Sequence, residues 1–304
     1  MSRSVDVSLF LALSLLWGLS FPAIAVGLEY LPPLLFAAIR YDIAALLLLG
    51  FAALRLDDWW PVGDNDRLAI VGGGLFLVAG NGLLFIAQQT VPSGVAAIIT
   101  TLAPIVTALW AFALLGERLS AVGVTGVAIG LAGMGFVIQP DLANLFAGDT
   151  VARLLVVGQV ISIALGGVLV QRAGPTIGTV PLTGWSMLVG AVVLHASSLG
   201  RGELPNASAF DPTAVGAVLY LGVFATAIAF VIYFRLLERY GAFEVILIQY
   251  LVPIVATLVG VFVLGESITA LTLVGFGLVA VGFAVLKRRA LADLVDRSVA
   301  QRRA

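Results

Sequence analysis

Ten long apolar stretches constrain this chain more than any other feature of its sequence. Each is close to the length of about 20 residues that a helix needs to cross the hydrocarbon core of a bilayer. Because the apolar runs are continuous rather than alternating, they favour helices over the strands of a membrane barrel. The sequence therefore predicts an all-α membrane protein with ten transmembrane helices. The predicted spans are Val5–Leu28, Leu34–Leu54, Leu68–Gln88, Gly94–Leu115, Ala121–Ile138, Val151–Val170, Val180–Leu199, Thr213–Phe234, Ala242–Leu264 and Ala270–Leu286.

The composition excludes the main soluble classes. Of 304 residues, 61% are apolar and only 11% are charged, against about 45–50% and about 25% in soluble domains. This excludes a soluble enzyme, a disordered chain and a basic nucleic-acid binder. The chain has no Cys and one His, His195, so thiol chemistry and paired-histidine metal motifs are excluded as well. The expected partners are the lipid bilayer and a small-molecule substrate, with no nucleic acid, cofactor or metal.

The basic residues predict the orientation in the membrane. With the N-terminus in the cytoplasm, only Arg153 and Arg201 lie outside, and Arg40 lies within the second span. This bias matches the positive-inside rule and predicts a multi-pass protein of the inner (plasma) membrane with both termini cytoplasmic. The segment 287–304 is then a basic cytoplasmic tail. The residues placed on the inner side are Arg3, Arg55, Arg67, Arg118, Arg172, Arg235, Arg239, Lys287, Arg288, Arg289, Arg297, Arg302 and Arg303.

The chain contains an internal repeat with an offset of 149 residues. A Pro-Ile-Val sequence begins at Pro104 and again at Pro253, and each is followed by Leu-Gly-Glu, with Glu117 and Glu266 as the acidic residues. The repeat predicts two homologous five-helix units, 5–139 and 150–286. Because five is odd, the second unit must cross the membrane in the opposite direction, as in transporters built from inverted repeats.

The duplicated Pro-Ile-Val and Leu-Gly-Glu-x-(Leu/Ile)-(Ser/Thr) motifs, Trp17-Gly18 and Arg40 resemble the drug/metabolite transporter superfamily. The closest resemblance is to its EamA-type ten-helix exporters, and it covers nearly the whole chain. It implies a metabolite carrier, commonly for amino acids or similar small solutes, with a central cavity lined by both halves. The second half departs from the family pattern, because Leu165-Gly166 stands roughly where Trp17-Gly18 does in the first.

The two repeated prolines mark a candidate site. A proline within a helix frees the carbonyl four residues earlier, which belongs to Thr100 for Pro104 and to Gln249 for Pro253. Both prolines lie near the predicted bilayer midplane, where transporters of inverted-repeat type bind substrate. We predict that Pro104 and Pro253 act as hinges and that Thr100 and Gln249 line the site. The alternative is that the prolines only curve the helices around a packed core.

Few other polar side chains lie within the spans. Asn81, Gln159 and Thr226 supply hydrogen-bonding groups, although such residues commonly join helices instead. Aromatic side chains are predicted to form cavity walls or, alternatively, ordinary packing. The predicted substrate-binding residues are Trp17, Asn81, Phe85, Thr100, Gln159, Gln249 and Tyr250.

Two charged residues lie within the second span. Arg40 is shallow enough to reach the outer surface or to meet Glu29, whereas Asp42 lies deeper. We predict a coupling or charge role for both, with Asp42 carrying a proton or holding a substrate amine. The alternative for Asp42 is a structural hydrogen bond to a neighbouring helix. Glu244 suits the N-terminus of the ninth span, and His195 is expected at the outer interface.

Three motifs are assigned structural roles or carry little weight. Glu117 and Glu266 are predicted to fix the entry into the fifth and tenth helices, which form outer scaffold or the face of a homodimer. A glycine stripe in the fifth helix suits close helix contact. Asn206-Ala207-Ser208 matches a glycosylation acceptor, which is a weak motif.

The predicted function is a secondary transporter, an exporter of small metabolites such as amino acids, working by alternating access. No Gly-Lys-Ser/Thr ending is present, so there is no sign of ATP use. The alternatives are a passive channel or facilitator and, with less support, an intramembrane lipid-modifying enzyme. The sequence supplies neither a thiol nucleophile nor a metal set for such an enzyme.

Overall fold

The computed structural model describes residues 3–117, 120–139, 148–205, 207–241, 245–288 and 291. Within these ranges the regular structure is helical throughout, with no strand. Among the described residues, eight helices are long and apolar enough to cross a membrane, and two shorter apolar helices follow. The predicted all-α fold with ten membrane helices is confirmed. Arg118, Asn206, Glu244 and most of the tail 287–304 lie outside the described ranges.

The ten helices are numbered here as spans 1 to 10. Span 3 begins four residues before its predicted start, and span 8 extends six residues beyond its predicted end. The bounds are Val7–Gly27, Pro33–Arg55, Asp64–Ala87, Ser93–Leu115, Ala121–Ile138, Asp149–Ala173, Thr179–Gly200, Pro212–Tyr240, Ile248–Phe262 and Ala270–Leu286.

Four of the spans are irregular inside the membrane. Span 1 is divided at Leu19, and span 4 at Thr101 and Leu102, just before Pro104. Spans 3 and 8 each contain a π-helical segment, Gly73–Val78 and Tyr220–Ile228. Adding the repeat offset of 149 to the first π segment places it inside the second. The two halves therefore share this irregularity as well as their sequence motifs.

The inversion of the two halves is visible where spans 5 and 10 pack together. A Cβ added at Gly126 would lie 2.6 Å from the carbonyl oxygen of Gly282, and one added at Gly282 would lie 2.6 Å from that of Gly126. Gly133 and Gly275 oppose each other in the same way. Positions increase along one helix as they decrease along the other, so these two equivalent spans are antiparallel. Their glycines let the two backbones approach closely.

Other contacts between the halves are related by an approximate two-fold symmetry, which exchanges each span with its equivalent in the other half. Spans 2 and 7 pack against each other, span 1 packs against span 9, and span 4 packs against span 6. Trp110 in span 4 donates its indole N–H to the carbonyl of Ile161 in span 6, at 3.2 Å. Because each half packs through several spans against the other, the interior of the bundle lies at the interface between them.

Carboxylates join the halves at helix N-termini. Glu266, in the turn after span 9, accepts hydrogen bonds from the backbone N–H and the hydroxyl of Ser93 at the start of span 4. Glu203 accepts from the backbone N–H groups of Leu34 and Leu35 in span 2, at 3.0 and 3.1 Å. An anionic group at this position satisfies free N–H groups and interacts favourably with the helix dipole.

On the opposite face, Asp66 binds the segment that leads into span 7. Its carboxylate accepts from the backbone N–H groups of Thr176 and Ile177 at 2.6 and 3.1 Å, and the residue is buried. Inter-half carboxylate contacts are therefore present on both faces of the bundle.

The role predicted for Glu266 was wrong. The entry into span 10 is capped by Thr269, whose hydroxyl accepts from the N–H of Thr272 at 3.2 Å, and Ser120 caps span 5 in the same way. Gly265 has a φ of +70°, a conformation that glycine adopts readily. The turn leaves the Glu266 carboxylate free to reach the other half. The equivalent contact of Glu117 falls on residues outside the described ranges.

Candidate functional site

A chain of hydrogen bonds crosses three spans in the interior. The side-chain amide nitrogen of Asn81 donates to the hydroxyl of Tyr41 at 2.7 Å. The Asn81 oxygen in turn accepts from the amide of Gln159 at 3.0 Å. Tyr41 and Gln159 are each only 3% exposed. The structure thus brings predicted site residues of spans 3 and 6 together and adds Tyr41 of span 2.

Arg40 lies beside this chain of hydrogen bonds and is 8% exposed. Its Nε donates to the hydroxyl of Thr226 in span 8 at 2.8 Å. Its guanidinium carbon lies 5.1 Å from the centroid of the Tyr41 ring and 5.9 Å from that of Phe85. The sequence prediction that Arg40 reaches the surface or Glu29 was wrong, because the side chain turns inward to Thr226.

We call Arg40, Tyr41, Asn81, Gln159 and Thr226 the polar cluster. Its members come from spans 2 and 3 of the first half and from spans 6 and 8 of the second. Counting about 1.5 Å per residue places Arg40 about 10 Å below the start of span 2. The polar cluster is therefore at membrane depth and at the interface between the halves.

The π-helical segments of spans 3 and 8 offer backbone carbonyls to polar side chains near the polar cluster. A π turn bonds residues five apart, so backbone carbonyls in it are available to side chains. The hydroxyl of Thr226 donates to the carbonyl of Leu221 at 2.7 Å, and Ser162 of span 6 donates to the carbonyl of Phe76 at 2.9 Å. The irregular backbone is thus satisfied by side chains, as bilayer burial requires.

Aromatic rings surround the interior on two sides. Trp17 packs against Phe230 and Tyr233 of span 8, with ring centroids 6.0 and 5.5 Å apart. Phe85 is fully buried and meets Phe36 edge to face at 5.3 Å. Trp17 therefore contacts the second half of the chain, and Phe85 contacts Arg40.

Asp42 lies apart from the polar cluster. Its carboxylate is 2.7 Å from the Nε2 of His195 in span 7, and both side chains are more than a third exposed. Two positions along a helix separate Asp42 from Arg40, so the two side chains point to different sides. The structure thus gives Asp42 the hydrogen bond to a neighbouring helix that the sequence offered as its alternative, with His195 as the partner.

The remaining predicted site residues do not join the polar cluster. The hydroxyl of Thr100 bonds to the carbonyl of Ala97 in its own helix at 2.7 Å. Gln249 makes no side-chain hydrogen bond to the described residues, and the Tyr250 ring packs against Phe283 at 5.0 Å. Their predicted substrate contacts stay predictions.

The two prolines differ in their settings. Pro104 lies at the beginning of the helical segment Ala103–Leu115, after the break in span 4. Pro253 lies inside the helix Ile248–Phe262. A proline at a helix start costs no backbone hydrogen bond, whereas one inside a helix does. The hinge role of both prolines stays a prediction.

Sequence reasoning did not single out Tyr41 and did not commit Thr226 to the site. Tyr41 directly follows Arg40, and Thr226 is a polar residue in the middle of an apolar span. These two features can be read from the sequence, but the local sequence does not show which neighbouring helix each side chain faces.

Replacing Thr226 with valine is expected to lower the free energy of unfolding by about 1.5–3 kcal/mol, because the buried Arg40 loses its acceptor. Valine has nearly the same shape, so packing is retained. Unfolding in mixed detergent micelles measures the change. Thr226→Ser, which keeps the hydroxyl, is the control and should retain most of the stability; equal losses in both variants would contradict the importance of this bond.

Comparisons with known proteins find one transporter family whose model matches each half of the chain. The model of the EamA-like transporter family matches residues 6–139 and again 150–288. The chain is 33% identical over 280 residues to the uncharacterized inner membrane transporter YedA of Escherichia coli K12, covering 90% of this chain and 87% of that protein. It is 29% identical over 295 residues to a probable amino-acid metabolite efflux pump of Salmonella typhimurium, covering 93% and 94%.

A solved crystal structure shares the fold. It superposes with a TM-score of 0.63 at 22% identity, covering 98% of this chain and 99% of that one. The two family matches fall on the two halves whose helices pack antiparallel in the bundle. This multi-pass membrane protein therefore belongs to the EamA-like transporter family.

Proposed function

We propose that this protein is a secondary transporter that exports small metabolites such as amino acids. The observation that carries the proposal is the polar cluster, to which both halves contribute at membrane depth. Polar groups inside a bilayer are costly and are commonly retained for function. The similarity to a Salmonella protein named as an amino-acid metabolite efflux pump supports the solute class and the direction.

Alternating access would proceed by movement of one five-helix half against the other. The inter-half contacts of Glu203 and Glu266 lie at one end of the bundle, and that of Asp66 lies at the other. Opening one end requires its contacts to break while those at the other end hold. Pro104 and Pro253 are the proposed hinges, and Trp17, Gln249 and Tyr250 are proposed to line the path with the polar cluster.

Counterflow in proteoliposomes tests this function. Vesicles with the full chain are preloaded with one unlabelled L-amino acid at a time, and uptake of the same labelled compound is measured. A transporter is expected to show saturable uptake that is stimulated by solute on the opposite side. Uptake that neither saturates nor responds to internal solute would favour the passive channel or facilitator. Release of altered lipid would favour the enzyme.

Asp42 is the proposed site of a coupling proton, with His195 as its partner at 2.7 Å. Replacing Asp42 with asparagine removes the carboxylate while keeping the shape of the side chain. The expected result is a counterflow rate that depends less on pH than that of the wild type. His195→Gln should weaken the pH dependence in the same way. An unchanged pH profile in both variants would contradict the coupling role.

Both termini are proposed to lie in the cytoplasm, on the basis of the positive-inside rule. A homodimer through the outer sides of spans 5 and 10 is also proposed, since Val124, Leu131 and Val274 are exposed there. Accessibility of single cysteines near each terminus tests the orientation, because the chain has no native Cys. Cross-linking of a cysteine at Val124 in intact membranes tests the dimer.

A further inference from the structure

We propose that the transported solute carries a single carboxylate, which binds the guanidinium of Arg40, and a hydrogen-bond donor, which binds the side-chain oxygen of Gln159. This inference rests on the proposed transport function and adds the chemical class of the solute. It also assigns specificity to two residues of the polar cluster that the structure leaves incompletely partnered.

Arg40 is a buried cation for which the described residues supply no balancing anion. Among the described residues no carboxylate lies within ion-pair distance of it. Of the five N–H bonds in a guanidinium, Nε–H is the only one with an acceptor among the described residues, the hydroxyl of Thr226. Tyr41 and Phe85 face the guanidinium with their rings, which leaves the two terminal nitrogens for another ligand.

A buried charge is costly unless an ion of opposite sign and good hydrogen bonds compensate it. The terminal nitrogens of an arginine form a planar fork that matches the two oxygens of a carboxylate. A carboxylate would therefore neutralise Arg40 and use its remaining donors. A phosphate monoester, with close to two negative charges at neutral pH, would leave one charge uncompensated at this depth.

Gln159 provides an independent second observation. It is 3% exposed, and its amide nitrogen donates to Asn81. Its side-chain oxygen is buried and has no hydrogen-bond partner among the described residues. A buried acceptor without a donor loses free energy relative to water, so a donor supplied by a solute would be favourable. An ammonium or hydroxyl group fits this requirement.

The two incomplete groups are linked through the same residues. Tyr41 contacts the Arg40 guanidinium with its ring and Asn81 with its hydroxyl, and Asn81 bonds to Gln159. The polar cluster thus presents an anion-binding donor at one end and an acceptor at the other. A solute that carries both a carboxylate and a donor would supply the partner that each end lacks.

Two measurements on the purified full chain test the inference. The first is counterflow in proteoliposomes with common L-amino acids, their primary amides, the matching amines without a carboxylate, and glycerol phosphate. The second is protection of the protein from thermal unfolding in detergent by the same compounds. The second needs no transport, so it separates failure of this inference from failure of the proposed function.

In the wild type we expect exchange and protection only by compounds with a free carboxylate. Arg40→Gln is expected to reduce both by about tenfold or more, as loss of one partner of a buried ion pair does. Arg40→Lys keeps the charge without the planar fork and should retain part of the effect. Gln159→Leu should lower the advantage of amino acids over simple carboxylates that lack the ammonium group.

The matched control is Arg67→Gln at an exposed position, which should leave both measurements unchanged. Equal exchange or protection by an amino acid and its amide would overturn the inference, as would a folded Arg40→Gln variant with the wild-type preference. A preference for glycerol phosphate would overturn the assignment to a carboxylate. If no compound is exchanged but carboxylates protect through Arg40, the assignment of a carboxylate site at Arg40 stands and the transport proposal fails.

Discussion

Replacing Gly126 with valine is expected to lower the free energy of unfolding by about 3 kcal/mol, the upper end of the usual range for overpacked interiors. A Cβ at this position would lie 2.6 Å from the carbonyl oxygen of Gly282 and 2.6 Å from the backbone nitrogen of Leu286. A backbone atom cannot move aside as a flexible side chain does. Spans 5 and 10 would therefore have to separate.

Gly133→Val is expected to behave in the same way, because its Cβ would lie 2.8 Å from the carbonyl oxygen of Gly275. Unfolding in mixed detergent micelles measures the loss. Gly135→Val in the same helix is the matched control, since a Cβ there meets no atom within 4 Å. If Gly126→Val and Gly135→Val have equal stability, the close approach of spans 5 and 10 is not what holds the two halves together.

Replacing Glu266 with alanine is the second prediction of large effect. The expected loss is about 2–3 kcal/mol, because the N–H and the hydroxyl of Ser93 lose a charged acceptor at the start of span 4. Span 9 packs closely against this side chain, since a Cβ at Gly260 would overlap a carboxylate oxygen of Glu266. Span 9 therefore makes room for this side chain.

Glu29→Ala is the control for the charge change. Glu29 is an exposed carboxylate in a loop at the same end of the bundle, and its loss should change stability by less than about 0.5 kcal/mol. A cysteine at Ser93 gives a second measurement, its accessibility to a water-soluble thiol reagent, with Glu266 intact or replaced. We expect faster labelling when Glu266 is replaced. Equal stability of the Glu266 and Glu29 variants, with equal labelling, would contradict an inter-half contact.

The sequence predicted the helices better than it predicted their irregularities. Span 5 was predicted at Ala121–Ile138 and is observed there, because a continuous apolar segment of spanning length begins directly after the capping residue Ser120. The π segments Gly73–Val78 and Tyr220–Ile228 were not predicted. A π turn contains one residue more than an α turn, and the length of an apolar segment does not show where such a turn lies.

Only part of the membership of the polar cluster was predicted, and its contacts were not. Asn81 and Gln159 were selected as scarce polar residues at membrane depth, and the structure joins them at 3.0 Å. The partner of Arg40 was predicted to be Glu29 or the surface, and it is Thr226, 186 residues further along the chain. Rotation of one helix about its axis decides such a contact.

The sequence by itself determined that this chain crosses a bilayer ten times, as two related halves of opposite direction. Apolar length and the 149-residue repeat are properties of the chain, and the bilayer accepts few other solutions for them. Only the tertiary structure decided that Arg40, with no counter-charge among the described residues, bonds to Thr226, that Gln159 bonds to Asn81, and that Glu266 binds the opposite half. These contacts depend on how one apolar helix packs against another. Because the surfaces of these helices are nearly uniformly apolar, their sequences do not specify which sides meet.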